Sequence, residues 1–141
     1  MGLAVCDRDG VLASPLETVR RPNRGQVPVD LERIAAVVAD YAALEVIVGL
    51  PLSMSGARGA AAQIAVDYAT AIAASVAPVP VRLVDERLSS VSAHGQFDAA
   101  GVGSRARREV VDQAAAAIIL QSALDAERAS GDAPGEVVAA P

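Results

Sequence analysis

Two places in the sequence put carboxylates where they could do chemistry. Asp112 stands three, four and seven residues ahead of Ala115, Ala116 and Ile119, offsets that stack on one face of an α-helix. A carboxylate turned into an apolar interface is costly unless it is paired, hydrogen-bonded or bound to a metal. The alternative is that the helix starts only at Asp112, which would then cap it. The second place is the end of the run Val81-Arg82-Leu83-Val84, where Asp85, Glu86 and Arg87 follow. Strand alternation sets Asp85 with Leu83 on one face and Glu86 with Val84 on the other, so only one of the two can serve a given site. Hard oxygen ligands from separate elements suit Mg²⁺ or Mn²⁺, and strand ends in α/β sheets are where ligand crevices form. The plainer reading of the same residues is solvated charge paired with Arg87.

Smaller signals accompany these. Gly49-Leu50-Pro51 with Gly56 reads as a strand running into a tight loop, which could bring backbone N–H groups to a phosphate or be an ordinary turn. Arg105, Arg107 and Arg108 precede Asp112 and could neutralise a phosphate backbone or simply be solvated. With one histidine, His94, and one cysteine, Cys6, there is no zinc constellation and no Cys/His nucleophile pair. His94 reads as a surface helix residue and Cys6 as a buried core thiol. Neither a Walker loop nor a dinucleotide fingerprint is present.

The elements that must position these residues can be read from periodicity. Gly2–Cys6, Val11–Ala13 and Glu17–Arg20 predict three short strands in an antiparallel meander, with the Asp7-Arg8-Asp9-Gly10 turn as a hairpin signal. Leu31, Ile34, Val37, Val38 and Tyr41 fall on one helical stripe, with Asp30 as its N-cap. Glu45–Leu50 is a nearly continuous apolar run, predicting a central strand in parallel pairing. A helix over about 57–76 carries Ile64, Tyr68 and Ile72 on one face and stops at Pro78 and Pro80. A short helix over 93–100, a Gly-rich basic link over 101–108 and a long helix to about Arg128 complete the domain. Residues 129–141, rich in Gly, Pro, Ala and acid, are expected to be disordered. The organisation is thus one domain over 1–128 and a tail.

Composition bounds what such a domain can be. The chain has 141 residues, 52% of them hydrophobic and 2% aromatic, enough for one core of Ala, Val, Ile and Leu packed between sheet and helices. Every basic residue is arginine, and the net charge of -5 excludes a general electrostatic grip on nucleic acid, so any such site is local. A lone cysteine excludes an internal disulfide and suits a reducing compartment. No stretch has the length and apolarity of a membrane span, and no signal segment is visible. The expected location is the cytoplasm.

Five segments in this order resemble the YqgF/RuvX family of ribonuclease H-like nucleases: Gly2-Leu3-Ala4-Val5, Leu12-Ala13-Ser14-Pro15-Leu16, Val48-Gly49-Leu50-Pro51 with Gly56, Asp85-Glu86-Arg87-Leu88-Ser89, and Asp112-Gln113-Ala114-Ala115 with Ile118-Ile119-Leu120. The resemblance implies an α/β, ribonuclease H-like fold with a five-stranded mixed sheet flanked by helices. It implies a carboxylate cluster holding Mg²⁺ or Mn²⁺, with Glu86 and Asp112 as catalytic metal ligands and Asp85 as a substitute or outer partner. In a two-metal scheme one ion activates water and the other stabilises the leaving oxygen. Arg87, Arg105, Arg107, Arg108, Gly49 and Gly56 would meet the nucleic acid. The implied substrate is structured RNA at the 5′ end of pre-16S ribosomal RNA, or branched DNA at a Holliday junction, acted on by a monomer or homodimer.

The family opens with Asp-x-Gly-x-x-Arg-(Ile/Val)-Gly-(Val/Leu)-Ala, and Met1 stands at its Ile/Val position. The third carboxylate is therefore expected upstream of Met1, with the first strand truncated. Two readings follow: a start placed too far downstream, or a catalytically inactive chain kept as an RNA-binding or assembly factor.

Overall fold

The computed structural model describes residues 1–23, 25–88 and 104–138. In chain order they form β1 (Gly2–Cys6), β2 (Ala13–Thr18), α1 (Val29–Asp40), β3 (Val46–Leu50), α2 (Ala60–Val76), β4 (Val81–Asp85), a 3-10 turn at Glu86–Leu88, α3 (Ser104–Ser130) and β5 (Glu136–Val137). The chain divides into two units, Met1–Arg20 with Leu88–Pro134 and Arg21–Arg87 with Gly135–Pro141.

In the first unit the Asp7 carboxylate organises the turn. Its Oδ1 accepts the backbone N–H groups of Val11 at 2.7 Å and Leu12 at 3.1 Å, and Gly10, at φ +67°, donates to the Asp7 carbonyl at 3.1 Å. The two amide bonds hold the Asp7 carboxyl below the usual carboxylate range. They also correct the expected meander. Amides bound to Asp7 are not free for a ladder, so Val11 and Leu12 belong to the turn, and one strand, Ala13–Thr18, replaces the expected second and third. β1 and β2 pair antiparallel from Gly2↔Thr18 to Cys6↔Ala13, with an irregularity between Leu3 and Ala4.

Helix α3 packs over this hairpin. Gln121 clamps the turn at both of its amide atoms: Oε1 accepts Ala13 N–H and Nε2 donates to the Val11 carbonyl, each at 2.8 Å. Arg128 donates to the Gly10 carbonyl at 3.0 Å and Gln113 to the Thr18 hydroxyl at 2.9 Å. Arg105, Arg107 and Arg108 lie within the helix Ser104–Ser130 and not in a link. Cys6 is half-buried, contrary to the expected core thiol, and burial pushes its thiol pKa up, with a smaller push from Asp7. The expected helix over 93–100 and His94 lie outside the described residues.

In the second unit β3 and β4 pair in parallel as expected, from Val46↔Val81 to Leu50↔Asp85, and β5 pairs antiparallel with β4. Val81 and Val84 are fully buried at the centre. Helix α2 turns Ala62, Ala69, Ile72, Ala73 and Val76 inward. Ile64, expected on that face, is 56% exposed, because the small side chains of Ala62 and Ala69 let the helix lie close on that stripe and rotate Ile64 away. At α1 the expected cap is also corrected: Pro28 precedes the helix, and Asp30 is its second residue, 4% exposed. Asp30 accepts the Tyr68 hydroxyl of α2 at 2.6 Å, and the Arg21 guanidinium lies 4.1 Å from the centre of the Tyr68 ring.

The described strands form one two-stranded and one three-stranded sheet, not a single sheet of five. The mixture of antiparallel and parallel pairing agrees with expectation. Part of the segment expected to be disordered is structured: α3 runs to Ser130, and residues 136–137 supply the β5 edge.

Candidate functional site

The parallel register sets Leu50 level with Asp85, so the chain leaving β3 and the chain leaving β4 emerge at the same end of the sheet. Gly49 is still within β3, opposite Val84. Beyond it, Ser53 folds the loop back on itself: its N–H donates to the Ala57 carbonyl at 3.1 Å, its Oγ accepts Ala57 N–H at 3.1 Å, and its carbonyl accepts Gly56 N–H at 2.8 Å. Gly56 takes φ +85°, a conformation that favours glycine. Its bare face looks onto the Arg87 guanidinium, 3.5 Å from where a Cβ would stand, and Arg87 also donates to the Met54 carbonyl at 3.5 Å.

At the end of β4, Asp85 and Arg87 engage each other. Arg87 Nη2 and Nε donate to Asp85 Oδ2 at 2.7 and 3.0 Å, and the Arg87 backbone N–H donates to Oδ1 at 2.8 Å. That backbone bond, two residues ahead, is an Asx-type turn, and it ends the strand. Glu86 therefore begins a 3-10 turn and is exposed; the face expected for it by strand alternation does not apply. The Arg87 bonds hold the Asp85 carboxyl below the usual range. For Asp85 to bind metal, or Arg87 to bind phosphate, this fork would have to open.

Asp112 lies in the interior of α3, which removes the N-cap reading. Its side chain is 47% exposed, not buried, and its Oδ2 lies 3.8 Å from the Met1 amino nitrogen. Arg108 precedes it by one helical turn on the same face. The helix is held close to β1 at this point because Gly2 has no side chain: a Cβ there would overlap the Asp112 carbonyl.

The second unit thus brings together Asp85, Glu86, Arg87 and the Gly56 loop, while Asp112, Arg107 and Arg108 belong to the first. Among the described residues, no three His, Cys, Asp or Glu side chains stand together as a metal-binding group. Sequence reading misses the Asp30–Tyr68–Arg21 cluster and the ion pair between Arg58 and Glu136. Neither carries a local pattern, since the partners meet across 38 and 78 positions.

Comparison with known proteins decides the lineage. A family model described as "RuvX: Holliday junction resolvase" matches residues 1–126. The chain belongs to the RuvX family. Curated relatives include a protein of Thermobifida fusca, 52% identical over 98% of this chain and 88% of its own length, and one of Kineococcus radiotolerans, 54% identical over 100% and 73%. A third, of Streptomyces coelicolor, is 51% identical over 98% and 81%. All three carry the name "Putative pre-16S rRNA nuclease". Among the described residues, no helix is long and apolar enough to cross a membrane.

Proposed function

We propose that this RuvX-family chain is a divalent-metal-dependent endonuclease acting in the cytoplasm on the 5′ end of pre-16S ribosomal RNA. The observation that carries this reading is identity at about half of all positions, over practically the whole chain, with proteins that bear that name. Glu86 and Asp112 each offer an exposed carboxylate, the hard oxygen that Mg²⁺ or Mn²⁺ takes. Glu86 sits where the parallel strands end, the usual place of a ligand crevice. Arg87, Arg105, Arg107 and Arg108 are the residues proposed to meet phosphate, with Gly49 and Gly56 allowing close backbone approach. Among the described residues no three such ligands stand together.

Two further readings are set beside this one. The description of the family model favours a DNA junction nuclease. The other keeps the same fold without cleavage, as an RNA-binding or assembly factor.

One assay separates the three. The chain is tested from Met1 and with the preceding codons read in frame, against a labelled pre-16S 5′ precursor and a four-way DNA junction, with Mg²⁺ or Mn²⁺. Cleavage of the RNA by the extended form, and its loss in Glu86→Gln and Asp112→Asn, is the expected result. Preference for the junction supports the DNA reading. Tight RNA binding without cleavage by either form supports the assembly factor, and full activity in Glu86→Gln removes Glu86 from the site.

A further inference from the structure

Arg58 lies in the loop between β3 and α2, two residues beyond Gly56, and its guanidinium is paired with the Glu136 carboxylate of β5. Both side chains are about half exposed, 51% and 55%. The strand that brings Glu136 there is short, pairing only Leu83↔Glu136 and Arg82↔Val137, with one more bond from Val138 N–H to the Val81 carbonyl at 2.8 Å. Its seat depends on Gly135, which takes φ +80° and lies so close to β4 that a Cβ would overlap the Leu83 carbonyl oxygen.

Three features of this contact point the same way. The antiparallel register brings the tail in past the carboxyl end of β4, the end at which the Gly56 loop and Arg87 meet. A guanidinium prefers planar oxygen anions, and a phosphate offers the same pair of oxygens as a carboxylate. An exposed ion pair is weak and a two-residue edge strand opens easily, so a polyanion can compete for Arg58.

We propose that Arg58 binds a phosphate of the nucleic-acid substrate, and that the β5 segment covers it with Glu136 until the substrate displaces that carboxylate. This rests on the nuclease reading above and adds to it a phosphate contact and a built-in competitor. Glu136 lowers affinity for any short or weakly charged nucleic acid and leaves the longer substrate, with more phosphates to offer, better able to open the site.

The test measures binding of a fluorescein-labelled RNA hairpin by fluorescence anisotropy over a range of salt, with no divalent metal so that nothing is cut. Glu136→Gln is expected to bind roughly two- to fivefold more tightly, with a salt dependence steeper by the equivalent of about one phosphate contact. Gly135→Ala leaves every charge in place but unseats the strand, seen as loss of hydrogen-exchange protection at Val138, and is expected to tighten binding likewise. Arg58→Gln is expected to bind more weakly than the unaltered chain and to cancel both gains. A gain from Glu136→Gln that survives in the Arg58→Gln background would overturn the proposal, since only the removal of a negative charge would then be at work. RNA binding that is identical in the unaltered chain and all variants sinks this inference alone. Absence of RNA binding by every form sinks the nuclease reading and this inference with it.

Discussion

Gly2 of β1 lies directly against the backbone carbonyl of Asp112, at a distance that leaves no room for a Cβ. The residue that could bind metal is thus held in place by the lack of a side chain on its neighbour. In Gly2→Ala the helix must move off the strand, and overpacking of this kind costs about 1–3 kcal/mol. Urea denaturation should show that loss, and the Asp112 resonances should shift. A midpoint equal to that of the unaltered chain would mean that α3 can slide away freely.

The bond from Tyr68 to the buried Asp30 is expected to matter more than its exposure suggests. Tyr68→Phe leaves a buried carboxylate oxygen without its donor, at a cost of about 1–3 kcal/mol. Burial and the Asp30 carboxylate raise the Tyr68 phenol pKa above its ordinary value of 10.0. The neutral phenol is the form the fold prefers, so its contribution is full below pH ~10 and fades as pH rises further. The stability gap between the unaltered chain and Tyr68→Phe should therefore narrow above pH ~10; a constant gap would remove the hydroxyl as its cause.

Arg87→Gln should return the Asp85 carboxyl toward its ordinary value, because the Arg87 bonds are the largest cause of its depression. A depressed carboxyl stabilises the fold above its unfolded value, 3.8, and loses that contribution as pH falls below it. Whatever the substitution costs at neutral pH should thus disappear in acid. Carbon-detected NMR titration of Asp85 reads the shift directly, and an unchanged titration midpoint would show that the fork is not formed in solution.

Asp112→Asn probes metal binding apart from cleavage. Its side chain is half exposed within a helix that it does not cap, so the metal-free protein should change by no more than about 0.5 kcal/mol. The rise in melting temperature on adding Mn²⁺ to the upstream-extended form should shrink, since a ligand stabilises only the state that binds it. An undiminished response would take Asp112 out of the metal site.

How far the sequence leads can be judged residue by residue. The parallel β3–β4 pair is visible as two apolar runs, and the hairpin as an Asp/Gly turn, because those patterns are local. The extent of β2 is not visible, since it depends on Asp7 taking the amides of Val11 and Leu12. The same holds at Asp85, whose grip on the Arg87 amide ends β4 one residue before Glu86 and spoils the alternation. Asp30 looks like a cap by type and position, yet its partner is a tyrosine in another helix. The candidate carboxylates are recognisable by type and setting, whereas the direction that Asp85 takes is decided by its bonds to Arg87, which periodicity does not encode.

Gln121 joins the hairpin turn to α3 across 108 and 110 positions of chain, and that separation has a consequence during synthesis. At about 5–20 residues per second, β1 and β2 leave the ribosome roughly 5–20 s before the glutamine that closes their turn. Throughout that interval the strand Gly2–Cys6 has no α3 to cover it, and it is within the same interval that the segment from Arg21 to Arg87, with its parallel pair and both of its helices, is made. The β3–β4 pair can thus form while the hairpin still waits, its β5 edge following only after Gln121, and the earliest residues made are among the last to be secured. The chain spends that wait at the ribosome, with its first strands open to whatever lies at the exit.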